Sequence, residues 1–121
     1  MTLLVQHGGI EVGVTPEEIV LFSNVLNEVC HGFRLAEFDR SIGGSRAEAR
    51  ELLHKLSTLS ADQPTRIMMT VHELALLQNA LKESLRELGT EEFATRTGTP
   101  FELGEDRLRQ LRAFTSELHA E

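Results

Sequence analysis

The sequence predicts an α+β chain, mostly α-helical, in which internally duplicated three-helix units carry a small two- or three-stranded antiparallel sheet. Three observations lead there. The chain matches itself at an offset of 55 residues, each copy opens on a helix-capping pattern followed by apolar residues at helical spacing, and each of those helices follows a short apolar stretch with strand character. Self-similarity comes first because a missed repeat misassigns the whole fold.

At that offset Thr15 meets Thr70, Glu18 meets Glu73, Leu21 meets Leu76, Asn24 meets Asn79, Leu26 meets Leu81 and Glu28 meets Glu83. Glu37-Phe38 then meets Glu92-Phe93, Gly43 meets Gly98, Leu53 meets Leu108 and Leu56 meets Leu111. These are 11 identities over 43 ungapped positions, 15–57 on 70–112, against roughly three by chance. Two copies do not make a solenoid. They predict a single domain over residues 1–121, with repeats 10–57 and 65–112 about a pseudo-twofold and a polar linker at 58–64.

The elements follow in chain order. Leu3-Leu4-Val5-Gln6, His7-Gly8-Gly9 and Ile10–Val14 read as a hairpin. Thr15-Pro16-Glu17-Glu18 is a capping box with Pro at the first helical position, and Ile19, Phe22, Leu26, Val29 and Phe33 continue a helix near 16–31. Glu37-Phe38 lies in a shorter helix that Gly43-Gly44 ends, and Ser45-Arg46-Ala47-Glu48 opens a third helix with Ala49, Leu52, Leu53 and Leu56. In the second copy a strand near 65–69 precedes Thr70-Val71-His72-Glu73, and Leu74, Leu77, Leu81, Leu85 and Leu88 predict a helix over 71–88 ending at Gly89. Thr90 and then Thr99-Pro100 open the last two helices, the second of which contains Gly104, a residue about 1 kcal/mol worse than Ala in a helix interior.

Composition bounds the function. Nineteen Asp and Glu against 12 Lys and Arg give a formal charge of −7. This disfavours nucleic acid and anionic membranes, whose binders depend on cationic side chains, and suits a basic protein partner. No apolar run is long enough to span a bilayer, the N-terminus lacks the pattern of a signal peptide, and a lone Cys30 fits a reducing, cytoplasmic setting.

Catalytic patterns are wanting. His7, His31, His54, His72 and His119 have no partners at zinc spacing, so neither a metal nor another cofactor is expected. Cys30-His31 does not read as a nucleophile and its base, since helix neighbours do not face each other. The glycine pairs match no phosphate loop, and no G-x-S-x-G elbow occurs. The polar residues repeated between copies say more. Asn24 with Glu28, and Asn79 with Glu83, stand one turn apart on one helix face. Their structural reading is an Asn amide tying the first helix to the Glu-Phe segment that follows it, and their functional reading is a binding groove across the pseudo-twofold. Arg40 and Arg96, beside the two Glu-Phe pairs, complete the candidate binding set.

Residues 35–53 also have the rhythm of a helix-turn-helix, whose recognition helix would expose Arg46 and Arg50. Residues 15–60 hold five basic against seven acidic side chains, which is no basic footprint. Residues 24–32, followed by Glu37-Phe38 and Gly43, resemble short bacterial proteins of unknown function that carry an Asn-Ala-Leu-Asn-Glu helix and then Glu-Phe-x-Thr-Arg-x-Gly. Asn79-Ala80-Leu81 and Glu92-Phe93-Ala94-Thr95-Arg96-Thr97-Gly98 are similar, whereas the first copy has Arg40-Ser41 where Thr-Arg belongs and the second has Lys82 for the second Asn. The resemblance implies a bacterial cytoplasmic protein and brings no activity with it. The resulting expectation is a non-catalytic interaction or regulatory module. A helix-turn-helix regulator and a small enzyme using Glu28 or Glu83 are the alternatives. A homodimer is expected through uncharged sheet edges or through Leu21 and Leu76.

Overall fold

The computed structural model describes residues 1–6, 9–60 and 62–120. Its elements are β1 (Thr2–Gln6), β2 (Gly9–Val14), α1 (Pro16–Asn27), a π-turn (Glu28–Gly32), α2 (Phe38–Ile42), α3 (Arg46–Ser57), β3 (Thr65–Met69), α4 (Val71–Thr97) and α5 (Phe101–Ala120). The class is α+β and mostly helical, with one three-stranded antiparallel sheet in the order β1-β2-β3. The hairpin turn expected at His7-Gly8 lies outside the described residues, and Gly9 belongs to β2, opposite Gln6.

Alternation along β2 sends Ile10, Val12 and Val14 inward, and Ile67 and Met69 of β3 join them. Val12 stands opposite Ile67, two positions separated by the 55-residue offset. A twofold relating the halves would pass between them. On the inner face of the sheet, α1 packs against α4, while α3 flanks α1 and α5 flanks α4. The strands and helices share one core, in which Phe22, Leu26, Leu81 and Phe93 are wholly buried. Leu21 and Leu76 are 2% and 1% exposed. They are core leucines, not the free apolar faces a dimer would need, because each helix buries a wider stripe than its first-read spacing implies.

All three expected capping boxes form. Thr15, Ser45 and Thr70 accept from the backbone N–H groups of Glu18, Glu48 and Glu73, whose carboxylates accept from the caps' own N–H groups. Gly43 and Gly98 both end short helices in the left-handed region, at φ 81° and 76°. Gly89, at φ 74° and ψ −178°, breaks α4 into 71–88 and 90–97 in a conformation essentially reserved for glycine.

The halves differ at the end of the first long helix. There the second half continues as α-helix to the break at Gly89, but the first widens into the π-turn, closed by the Phe33 N–H donating to the Glu28 carbonyl at 3.2 Å. The Glu28 carboxylate occupies the space a Gly32 side chain would take, so a larger residue there would push that carboxylate aside.

Gly104 sits mid-helix for packing. A Cβ there would lie 2.7 Å from the Phe93 ring, which is wholly buried and meets Phe101 edge-on at 5.9 Å. Gly104→Ala should therefore destabilise by about 1–3 kcal/mol despite its better helix propensity, as read from the urea midpoint. Leu26→Ala and Leu81→Ala should each cost about 2–5 kcal/mol in the same measurement, both side chains being fully buried.

Candidate functional site

The repeated asparagines reach across the molecule. The Asn24 amide donates to the Thr97 carbonyl at 3.0 Å, and the Asn79 amide donates to the Ile42 carbonyl at 2.9 Å. Thr97 and Ile42 are the residues just before Gly98 and Gly43, so each amide satisfies a carbonyl that a helix end leaves without an intrahelical partner. The expected tie to the Glu-Phe segment exists, but to the segment of the opposite half. Nothing local in the sequence distinguishes the two, since both place Asn on the buried side of a helix facing a helix end.

Two ion pairs run the same way. Glu18 of α1, 2% exposed, meets Arg107 of α5 at 2.6 Å, and Glu73 of α4 meets Lys55 of α3 at 3.1 Å. The N-terminal turn of each long helix is thus held by a cation from the outer helix of the other half. The carboxylate's backbone bond and its ion pair share one side chain, which offsets the cost of burying Glu18.

Glu28 and Glu83 diverge. Arg96 lies 3.4 Å from both Glu28 carboxylate oxygens while its Nε donates to Glu92 at 3.0 Å. The position matching Arg96 in the first half is Ser41, which carries no charge, and Glu83 instead accepts from Arg86 Nε at 3.0 Å. Arg40 pairs with Glu37 at 3.3 Å in full solvent. Of the six candidate residues, Asn24, Asn79, Glu28 and Arg96 act between the halves, whereas Glu83 and Arg40 pair within their own.

Sequence reasoning missed an open cleft of about 810 Å³, lined by residues 30–36 and by Arg46. The π-turn and the irregular stretch after it form one wall. Arg46, at the start of α3, donates to the Cys30 carbonyl, and its guanidinium lies 4.4 Å over the Phe38 ring. It is therefore turned back toward the π-turn, away from the free face of α3 that a recognition helix would present. The helix before the turn, α2, has only five residues. Cys30 is buried, and burial pushes its thiol up against the opposing pull of Arg46 and Arg50, while His31 is exposed. The available signal was Gly32-Phe33-Arg34, which meets Glu87-Leu88-Gly89 at the 55-residue offset, together with a further Arg at 46.

Among the described residues, no three His, Cys, Asp or Glu side chains converge in a set that could hold a metal ion, and no helix is long and apolar enough to cross a membrane. No protein-family profile, curated protein or solved structure matches the chain.

Two predictions follow from these contacts. Asn24→Ala and Asn79→Ala should each lose about 1–3 kcal/mol, since each leaves a carbonyl unsatisfied. Asn79→Asp should lose more, because it sets a carboxylate against that carbonyl, and chemical denaturation of the three variants gives the order. The second prediction concerns acid. The Ser45 backbone N–H and then the His72 ring, 2.7 Å away, hold the Glu48 carboxyl below its usual range. A depressed carboxyl stabilises the fold above its unfolded pKa, and that contribution is lost as pH falls through the folded value. The melting temperature should fall on acidification below about pH 4.5, with a shallower slope in Glu48→Gln.

Proposed function

We propose that this chain is a non-catalytic interaction or regulatory module of a bacterial cytoplasm, built from two copies of one unit, whose protein partner is basic. One observation carries the reading: Asn24, Asn79 and Glu28, three of the four side chains a groove across the twofold would need, already make contacts between the halves, and the fourth, Glu83, is paired with Arg86. An enzyme using Glu28 would have to break its contact with Arg96 first. The matching offsets of the capping boxes, the left-handed glycines and the two Asn–carbonyl bonds support the duplication.

The negative surface supports the partner's sign. Glu87, Glu91 and Glu92 before the last turn, and Glu102 and Glu105 after it, are all exposed around the junction of α4 and α5. A basic surface docking there would gain association rate from the field of these carboxylates, and the gain would fall with salt.

Affinity capture from a bacterial lysate, with the Glu102→Lys/Glu105→Lys variant alongside, tests the reading. The expected result is a small set of basic proteins held at low salt and lost from the variant. Identical capture by both proteins would overturn the partner's docking face and charge.

A further inference from the structure

We infer that the cleft between the π-turn and α3 is a binding site for the oxyanion of a small organic ligand, a phosphate or carboxylate group gripped by Arg34 and Arg46. The inference adds a ligand to the module described above and stands independently of where a protein partner docks.

The first support is the pairing of cations. Seven of the twelve Lys and Arg side chains sit within ion-pair distance of a carboxylate: Arg40, Lys55, Arg66, Arg86, Arg96, Arg107 and Arg109. Five have no carboxylate partner among the described residues, and three of these, Arg34, Arg46 and Arg50, gather at this one cleft: Arg34 and Arg46 line it, and Arg50 stands one turn along α3 from Arg46, close enough to act on Cys30. The chain as a whole carries a net charge of −7, so a cleft lined by two arginines departs from the prevailing sign. No Asp or Glu lines the cleft. Glu28, whose carboxylate lies against Gly32, already faces Arg96, and Glu37, next to Ala36, already faces Arg40.

The second support is preorganisation. Arg46 is fixed by two contacts that leave its charge intact, a carbonyl acceptor and an aromatic face. A guanidinium held in this way loses little freedom when it takes a planar or tetrahedral oxyanion through its remaining N–H groups. Arg34 is exposed on the opposite wall, and the half-buried Phe33 and Leu35 beside it offer apolar surface to a ligand's carbon skeleton. The volume falls in the range of small-molecule sites, about 300–1,000 Å³.

The third support is that the cleft occurs in one half alone. At the 55-residue offset Arg34 corresponds to Gly89 and Ala36 to Glu91, and the backbone there is helical but for the break at Gly89. The π-turn and the stretch before α2 thus open a wall and place a cation on it where the second half has neither.

Amide chemical shifts of the ¹⁵N-labelled protein, followed during titration with inorganic phosphate and separately with citrate at constant ionic strength, test the inference and tell the two oxyanion chemistries apart. The expected result is a saturating shift of the amides of residues 30–36 and 46 with at least one anion. Arg34→Glu, an exposed substitution, should weaken that binding at least about tenfold. Arg112→Glu, the same charge change at an unpaired arginine on α5, should leave it in place. Absence of saturating shifts with both anions at about 10 mM would overturn the inference. Equal weakening by Arg34→Glu and Arg112→Glu would overturn it too, since it would mark a response to net charge. Neither of these results bears on capture of a basic protein through Glu102 and Glu105.

Discussion

The structure depends on how it satisfies the carbonyls at the ends of its two short helices. A helix that stops in the interior leaves C=O groups with no intrahelical donor, and each would carry a desolvation cost of about 1–3 kcal/mol if nothing met it. Ile42 and Thr97 both end helices just before a left-handed glycine, and each receives the amide of an asparagine from the long helix of the other half. The bond therefore fixes where one half sits on the other. The remaining contacts between the halves are consistent with that placement: Leu76 passes close to Gly44, Val12 faces Ile67 in the sheet, and Glu18 and Glu73 take cations from the outer helices opposite.

Much of this was legible because it is local. A Thr-x-x-Glu pattern, a proline at the first helical position and a glycine after the last apolar residue report on backbone geometry within a few residues, and all three long-helix starts read from such signals are present. The strands were legible through β-branched and apolar residues placed before those starts. The direction of Asn24 and Asn79 was not, because a side chain's partner across a domain depends on packing that no short window contains. Leu21 and Leu76 show the same limit. Periodicity assigns a helix its buried stripe, but the width of that stripe depends on how many neighbours cover it, and α1 and α4 are covered by each other, by an outer helix and by the sheet.

The π-turn was the other illegible feature, and it bears on the candidate ligand site. A single residue of extra width cannot be read from apolar spacing, since Val29, Cys30 and Phe33 suit an α-helix equally well. The one legible trace was Gly32, placed where glycine would be expected to end a helix. In the structure the space beside it is taken by the Glu28 carboxylate, which in turn reaches Arg96. Glycine thus serves two ends here: at Gly43, Gly98 and Gly89 it supplies a backbone conformation, and at Gly32 and Gly104 it supplies space.

Where the halves differ also bears on where function can reside. Asn24, Asn79, Glu18 and Glu73, identical at the 55-residue offset, make contacts that place one half on the other, and changing them threatens the fold. Three of the many departures bear on the charges near the π-turn: Arg96 against Ser41, Arg34 against Gly89, and the π-turn against continuous helix. The first is compensated within the structure, because Glu83 takes Arg86 once the first half offers no arginine. The other two are not compensated: they open a cleft and leave its cations without carboxylates, in a protein whose charge would otherwise supply them. A stable packing has no need of such a feature. Arg46 gains a carbonyl and an aromatic ring from folding, but neither neutralises its charge, and Arg34 has no carboxylate partner among the described residues, so the arrangement suits an anion that enters from solution.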